Sequence, residues 1–207
     1  MKKLIIVGLV LLIVIVVGVG AVFVMSPSID LSVYESLRSP AISTKPSQKV
    51  IQVVATGAPK DTAGEAIGLL FKTLYSLRGT VEGVEMAAPR ARWPVGSDQP
   101  AEEWVGKFAL PVPAAVTELP EQEAGGLRVE LAHWQYGEVA EILHVGAYDA
   151  EEPTVDKLKA YVAAQGYVIA GEHEEEYVKG PGMFFAGDPA EYYTIIRYPV
   201  RKPVPEQ

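Results

Sequence analysis

The chain has 207 residues, a formal charge of −8 and no cysteine. An acidic chain without a basic patch is not built to bind nucleic acid. The lack of cysteine excludes disulfides, thiol catalysis and cysteine-held metals. Hydrophobic residues make up 49% of the chain, enough for a sizeable core, although the N-terminus inflates that share.

The first element in chain order is "LIIVGLVLLIVIVVGVGAVFV", residues 4–24, which carries no charge. At about 1.5 Å per residue it covers the roughly 30 Å hydrocarbon core of a bilayer. Lys2 and Lys3 precede it, and the next basic residue is Arg38. The positive-inside rule then places residues 1–3 in the cytoplasm and the rest outside. A cleaved signal peptide is the competing reading. Its apolar region is normally about 7–15 residues long and ends in small residues at a cleavage site, whereas this run is longer and "AVFVMSPS" lacks that pattern. An uncleaved single-pass anchor is therefore expected.

Residues 25–49 are rich in Ser and Pro and read as a linker. "KVIQVVAT", residues 49–56, is β-branched and strand-like. A helix is predicted over 61–79, capped by Asp61 or Thr62, with an apolar stripe of Ile67, Leu70, Phe71 and Leu74 and a stop at Gly79. "ARWPV" and "EEWVGKFALPVP" follow as two strands, and 114–126 connects to a second half. There, "LRVELAHW" and "EVAEILHVG" predict a strand pair. Residues 151–166 predict a helix with Pro153 in its first turn and Val155, Leu158, Tyr161 and Val162 on its apolar face. "YVIAGEHEEEYVKGP" predicts a strand or hairpin, and "EYYTIIRYPV" the closing strand. Residues 201–207 are a tail.

The two halves repeat. "QPAEEWVGKFALPVP" is echoed by "DPAEYYTIIRYPV", and "VVATGAP" by "ILHVGAY", which lays Gly57 on Gly146 and Pro111 on Pro199. The fold class expected is α+β: tandem pseudo-symmetric βαββ repeats, about 50–113 and 127–200, with both helices on one sheet face and a ligand cleft on the other.

The segment from Gly137 to Val200 resembles the GyrI-like small-molecule-binding domain, which also serves as the effector-binding module of MerR-type and AraC-type multidrug regulators. His144, Gly146, Tyr148, Tyr177, Tyr192, Thr194, Ile196, Pro199 and Val200 carry the resemblance. Gly57, Trp104, Pro111, Val112 and Pro113 match more loosely. The resemblance covers roughly residues 50–200 and implies the same duplicated fold and a small organic ligand. No DNA-binding helix-turn-helix accompanies it.

There are departures. The family's closing-strand Glu is Ile195 here, its counterpart in the first half is Lys107, and the usual Pro before Tyr148 is Ala147. With Lys107 and Arg197 near the cleft, neutral or anionic aromatic ligands are expected in place of cationic ones. The candidate ligand-binding residues are Trp104, Lys107, Trp134, Tyr136, Tyr148, Tyr177, Tyr193, Ile195 and Arg197.

The run "GEHEEEYV" concentrates Glu172, His173, Glu174, Glu175 and Glu176. Alternation puts Glu172, Glu174 and Glu176 on one face and His173 and Glu175 on the other. It reads as a solvated acidic edge strand that discourages aggregation, so no metal site and no cofactor are expected. Some GyrI-like relatives are hydrolases with a cleft Glu, which makes Glu175 and Glu176 the catalytic candidates if this chain is an enzyme. A third reading, haem binding as in the SOUL proteins, would need one of His133, His144 and His173 as an axial ligand. The match of His144 to a family turn position points instead to a structural hydrogen bond.

Overall fold

The computed structural model describes residues 30–95, 99–122, 126–181 and 187–204. The predicted membrane anchor, 4–24, lies outside the described residues. Among the described residues no helix is long and apolar enough to cross a membrane. The folded unit is Tyr34–Gln207.

Its described residues form nine strands and two α-helices: β1 Ala41–Lys45, β2 Gln48–Thr56, α1 Pro59–Arg78, β3 Arg90–Val95, β4 Val105–Pro111, β5 Val129–Trp134, β6 Gly137–Val145, α2 Glu152–Ala164, β7 Val168–Ile169, β8 His173–Lys179 and β9 Tyr193–Arg201. The order is β1-β6-β9-β8-β3-β4-β2-β5, all antiparallel, with β7 paired to β9.

This sheet cannot be flat. β1 and β2 stand six strand steps apart, about 29 Å at 4.8 Å per step, yet two residues, Pro46 and Ser47, join them. The register explains how. Lys45 faces Gly137 and Gln48 faces Trp134, so β1–β2 and β5–β6 form one long antiparallel ribbon with a break in the middle. The ribbon closes the ring of strands. The face without helices thereby becomes an interior, and its residues Val50, Ala109, Trp134, Val139, Glu174, Ile195 and Arg197 are buried with no helix over them.

The other face carries the helices. Ala66, Leu70, Thr73, Leu74 and Leu77 of α1 pack on Ile51, Val53, Phe108 and Leu110. Leu158 and Val162 of α2 pack on Ala140, Ile142, Ile196 and Tyr198. Burying a side chain of this size contributes about 1.5–3 kcal/mol, so each helix is held by its apolar stripe.

The duplication is visible in hydrogen bonds. Gly57, at φ +129°, ends β2 and donates its N–H to the Trp104 carbonyl at 2.9 Å. Gly146, at φ +148°, ends β6 and donates to the Tyr192 carbonyl at 3.0 Å. Each aromatic follows a 3-10 turn, Ala101–Glu103 or Pro189–Glu191, within the repeated Pro-Ala-Glu phrase. That phrase docks the start of each closing strand against the glycine of its partner.

Four expectations change. The linker includes β1, because Ser43 and its neighbours pair with β6, and a 3-10 helix covers Leu31–Arg38. The first helix starts at Pro59, not Asp61, since proline fits a first turn and Ala58 ends the preceding extended segment. The Glu-rich run is no edge: β8 lies between β3 and β9, and Glu174 is 1% exposed. The face expected to hold a cleft is the barrel interior.

Candidate functional site

Laying Pro111 on Pro199 makes Ala109 the counterpart of Arg197. Arg90 faces Ala109 and Glu174 faces Arg197, so Arg90 corresponds to Glu174, Ala91 to Glu175 and Trp93 to Tyr177. Ala91 and Glu175 are direct partners in the sheet. The pseudo-two-fold axis therefore passes between them, and Glu175 stands on it, on the helix-bearing face, flanked by Trp93 and Tyr177.

Polar groups gather around Glu175. Tyr177 donates its hydroxyl to Oε2 at 2.6 Å, and His173 Nε2 lies 2.9 Å from Oε1. The other ring nitrogen of His173 is 2.8 Å from the Tyr198 hydroxyl. Glu151, just before α2, brings a second carboxyl, so that ligand atoms of Glu151, His173 and Glu175 lie within 4.8 Å of one another. Burial, and then the nearby Glu175 charge, push the Glu151 carboxyl up to about 8. Burial also pushes the Tyr148 and Tyr198 phenols up to about 12, and that of Tyr177 well above its ordinary range. At neutral pH the cluster thus holds a proton on Glu151 and neutral tyrosines around it.

An aromatic wall encloses the cluster. Tyr148 stacks against Tyr177 and Tyr192, with ring centroids 5.4 and 5.2 Å away. It is 39% exposed and forms the outer cover. Its hydroxyl lies where a side chain on Gly180 would begin, so only glycine lets it sit there. Trp93 packs edge-on against Trp104 and Phe108 at 5.8 and 5.5 Å.

Four buried side-chain polar atoms among the described residues have no hydrogen-bond partner, and three lie on the helix-bearing side: Glu151 Oε1, Thr194 Oγ1 and Nε1 of Trp93, the partner of His173 in the sheet. Such groups cost about 1–3 kcal/mol each, and their grouping marks a place built for something else.

The interior contrasts with this. Arg197, 2% exposed, meets Glu141 at 3.0 Å, Glu174 at 2.6 Å and Glu176 at 3.1 Å. Arg92 meets Glu174 at 2.7 Å, and Arg90 meets Glu176 at 3.3 Å. Tyr136 donates to Glu174, and Trp134 to Gln52, while Arg92 stacks on both rings. Burial alone would lower the Arg197 pKa, but its three carboxylates outweigh burial and raise it. Burial would raise Glu141, and Arg197 and Lys45 lower it instead.

The predicted site residues are thus divided between two faces. Tyr148, Tyr177 and Glu175 meet on the helix face, and Trp104 packs against Trp93 on the same side. Trp134, Tyr136, Ile195, Arg197 and Glu176 line the interior. Tyr193 shares that face at the end of β9, under Arg38. Lys107 pairs with Glu172 at 2.6 Å on the interior side of β4. Lys107 and Arg197 therefore do not supply positive charge to the cluster around Glu175. A shallow hollow of about 250 Å³ lies at the barrel mouth over Gln48, Arg90, Tyr136 and Arg197, and one of about 360 Å³ lies beside Leu77 and Leu119. Neither touches Glu175. Unpartnered polar atoms identify a site better than surface concavity, because concavity alone specifies no ligand. His144 has both ring nitrogens engaged, by Thr154 at 3.0 Å and the Ala147 carbonyl at 3.1 Å.

Sequence reasoning missed Trp93, Glu151 and Thr194 as a group. Carrying the repeat alignment inward from Pro111 and Pro199 pairs Trp93 with Tyr177 and finds the axis. Glu151 leaves no such trace, because a helix brings it.

No protein-family model and no curated protein sequence matches the chain. Solved structures do. A hydrolase from Listeria innocua superposes with a TM-score of 0.66 at 18% identity, over 83% of this chain and 96% of that one. An uncharacterized conserved protein from the same organism gives 0.67 at 20%, over 83% and 97%. The C-terminal domain of EcmrR gives 0.58 at 16%, over 80% and 98%. The fold is GyrI-like. At these identities the likeness concerns the fold alone.

Proposed function

We propose that this domain binds a small planar organic molecule between its two helices, over Glu175. The observation that carries this is the group of unpartnered atoms on Trp93, Glu151 and Thr194, set among Tyr148, Tyr177 and Tyr192. A ligand that donates to Glu151 and Thr194 and accepts from the Trp93 indole would satisfy all three. Two carboxyl groups favour a basic or cationic ligand, which reverses the sign expected when Lys107 and Arg197 were read as facing the cleft. The GyrI-like fold of the neighbours, among them an EcmrR structure in complex with DNA, supports a small-molecule module but extends no DNA role to this acidic chain. Titrating the full chain with matched cationic and anionic planar dyes tests it. The cationic dye should quench tryptophan fluorescence at the lower concentration, and Trp93→Phe should remove most of the quench. Equal affinity for both dyes, unchanged in Glu175→Gln, would sink the reading.

Residues 4–24 anchor the domain to a membrane with Lys2 and Lys3 inside, in this proposal, because the run is long enough to span and has basic residues on one side only. Protease added to spheroplasts should then degrade the domain; protection until lysis would reverse the topology.

A second reading, hydrolysis of an electrophilic ligand, rests on one observation: two carboxyl groups, Glu151 and Glu175, converge in one cluster with a histidine, and burial pushes the Glu151 carboxyl up. Glu175 would take a proton from water as it attacks, and Glu151 would give one to the departing atom. If turnover is found, Glu175→Gln should lower it by roughly 10²-fold or more.

A further inference from the structure

Resting on the cleft assigned above, we propose that Glu151, His173 and Glu175 form a binding site for a divalent first-row metal ion, Zn²⁺ or Mn²⁺. The three donors come from two separate elements, the residue before α2 and the strand β8, and their ligand atoms converge within 4.8 Å. Ligands about 2.0–2.2 Å from a metal stand roughly 3–3.5 Å from each other, so small side-chain rotations bring all three into range. His173 Nε2 and Glu175 Oε1 are already 2.9 Å apart.

The groups behind these donors are those a metal site requires. His173 Nδ1 meets the Tyr198 hydroxyl at 2.8 Å, which fixes the ring and leaves Nε2 to point inward. The second oxygen of Glu175 accepts from Tyr177. Partners of this kind orient ligands and raise their affinity for metal.

Two buried atoms independently point to a ligand. Glu151 is 8% exposed, and its Oε1 has no hydrogen-bond partner. Thr194 is fully buried, and its Oγ1, close enough to Glu151 to lower that carboxyl slightly against the effect of burial, has no other hydrogen-bond partner. Among the described residues no lysine or arginine forms an ion pair with Glu151 or Glu175. A divalent ion would supply the missing charge. One imidazole nitrogen with two carboxylate oxygens suits Zn²⁺ or Mn²⁺ better than a soft ion such as Cu⁺ or a hard one such as Mg²⁺. Three protein ligands leave positions open toward Tyr148, where the organic molecule would enter.

The full chain, purified in mild detergent and stripped with chelator, should be titrated calorimetrically with ZnCl₂ and MnCl₂. One ion per chain should bind. His173→Gln and Glu151→Gln should each weaken it at least tenfold, and Tyr198→Phe by roughly tenfold, the usual effect of losing an outer partner. Co²⁺ added to the unmodified chain should give the strong visible bands of a low-coordinate site, a readout that needs no variant to fold. Absence of those bands, or unchanged affinity in both ligand variants, overturns the proposal. Tyr148→Ala separates the two readings. It should impair dye binding and leave metal affinity unchanged. Dye binding without metal binding would retain the cleft and remove the ion; metal binding without dye binding would do the reverse.

Discussion

Both faces of the sheet bury charge, but they treat it differently. Inside the barrel each carboxylate meets a cation: Glu141 meets Lys45 and Arg197, Glu174 meets Arg92 and Arg197, and Glu176 meets Arg90 and Arg197. On the helix face His173 meets Glu175 with Glu151 near both, and three buried polar atoms have no hydrogen-bond partner. The interior is filled by these side chains, which neutralise one another's charges. On the helix face Glu151 and Glu175 have no lysine or arginine beside them among the described residues. Completeness of pairing separates the part that holds the fold from the part that acts.

The sharpest way to break this contrast is Arg197→Met. It removes one of the two cations that each of Glu141, Glu174 and Glu176 meets in the interior. Removing one partner of a buried ionic group costs about 3–5 kcal/mol, against a total stability of about 5–15 kcal/mol for a typical protein. Urea unfolding of the full chain should show a loss of that size or failure to fold. A loss under about 1 kcal/mol would mean that the interior network is as dispensable as a surface one.

A smaller effect separates the faces by pH. The Glu151 carboxyl is raised in the folded chain from 4.5 to about 8. Between those values the unfolded chain has released the proton and the folded chain keeps it. Stability is therefore highest below the ordinary carboxylate range and is lost as pH rises through about 8. The slope is at most about 1.4 kcal/mol per pH unit. In chelator-containing buffer, Glu151→Gln should flatten it. Glu141, lowered in the folded state by Arg197 and Lys45, acts with the opposite sign: its contribution is present above the ordinary carboxylate range and is lost on acidification. A slope unchanged in Glu151→Gln would refute the assignment.

How much of this was legible in the residues depends on which physical signal each part leaves. Both helices and most of the strands follow from apolar periodicity and the doubled Pro-Ala-Glu phrase, because burial imposes a period on sequence. Alternation also assigned His173 and Glu175 to the face opposite Glu174 and Glu176. It could not say whether the face without helices is open or enclosed. That depends on barrel closure, which is set by the short Pro46–Ser47 link and by β1, whose five residues "AISTK" look like linker. Arg197 and Lys107 do lie on the helix-free face, where the cleft was expected, and closure makes that face an interior. The buried acidic strand looked solvated for a related reason: its cationic partners, Arg90, Arg92 and Arg197, are distant in sequence.

Tyr148→Ala tests the outer wall of the cleft. Ring stacking contributes about 0.5–1.5 kcal/mol beyond burial, so dye affinity should fall severalfold to about tenfold while melting stays cooperative. Gly180→Ala sharpens the test, since its new methyl would meet the Tyr148 hydroxyl and push the ring aside. It should reproduce the loss without removing the tyrosine. Normal binding in both variants would move the ligand away from this wall.

The smallest effect is expected at Lys107. Its ion pair with Glu172 is about one-third exposed on each side, at 33% and 32%. Pairs so open to water contribute about 0–1 kcal/mol, and none of the cleft's unpartnered atoms lies on its face of β4. Lys107→Ala should therefore change stability little and leave the ratio of cationic to anionic dye affinity where it was. Glu175→Gln, on the opposite face, should shift that ratio toward the anion. The paired comparison needs no absolute affinity, because both variants change one charge on the same sheet and differ only in which side they face. If Lys107→Ala shifts the ratio and Glu175→Gln does not, the ligand enters from the barrel mouth, and the hollow over Arg90, Tyr136 and Arg197 is the binding site.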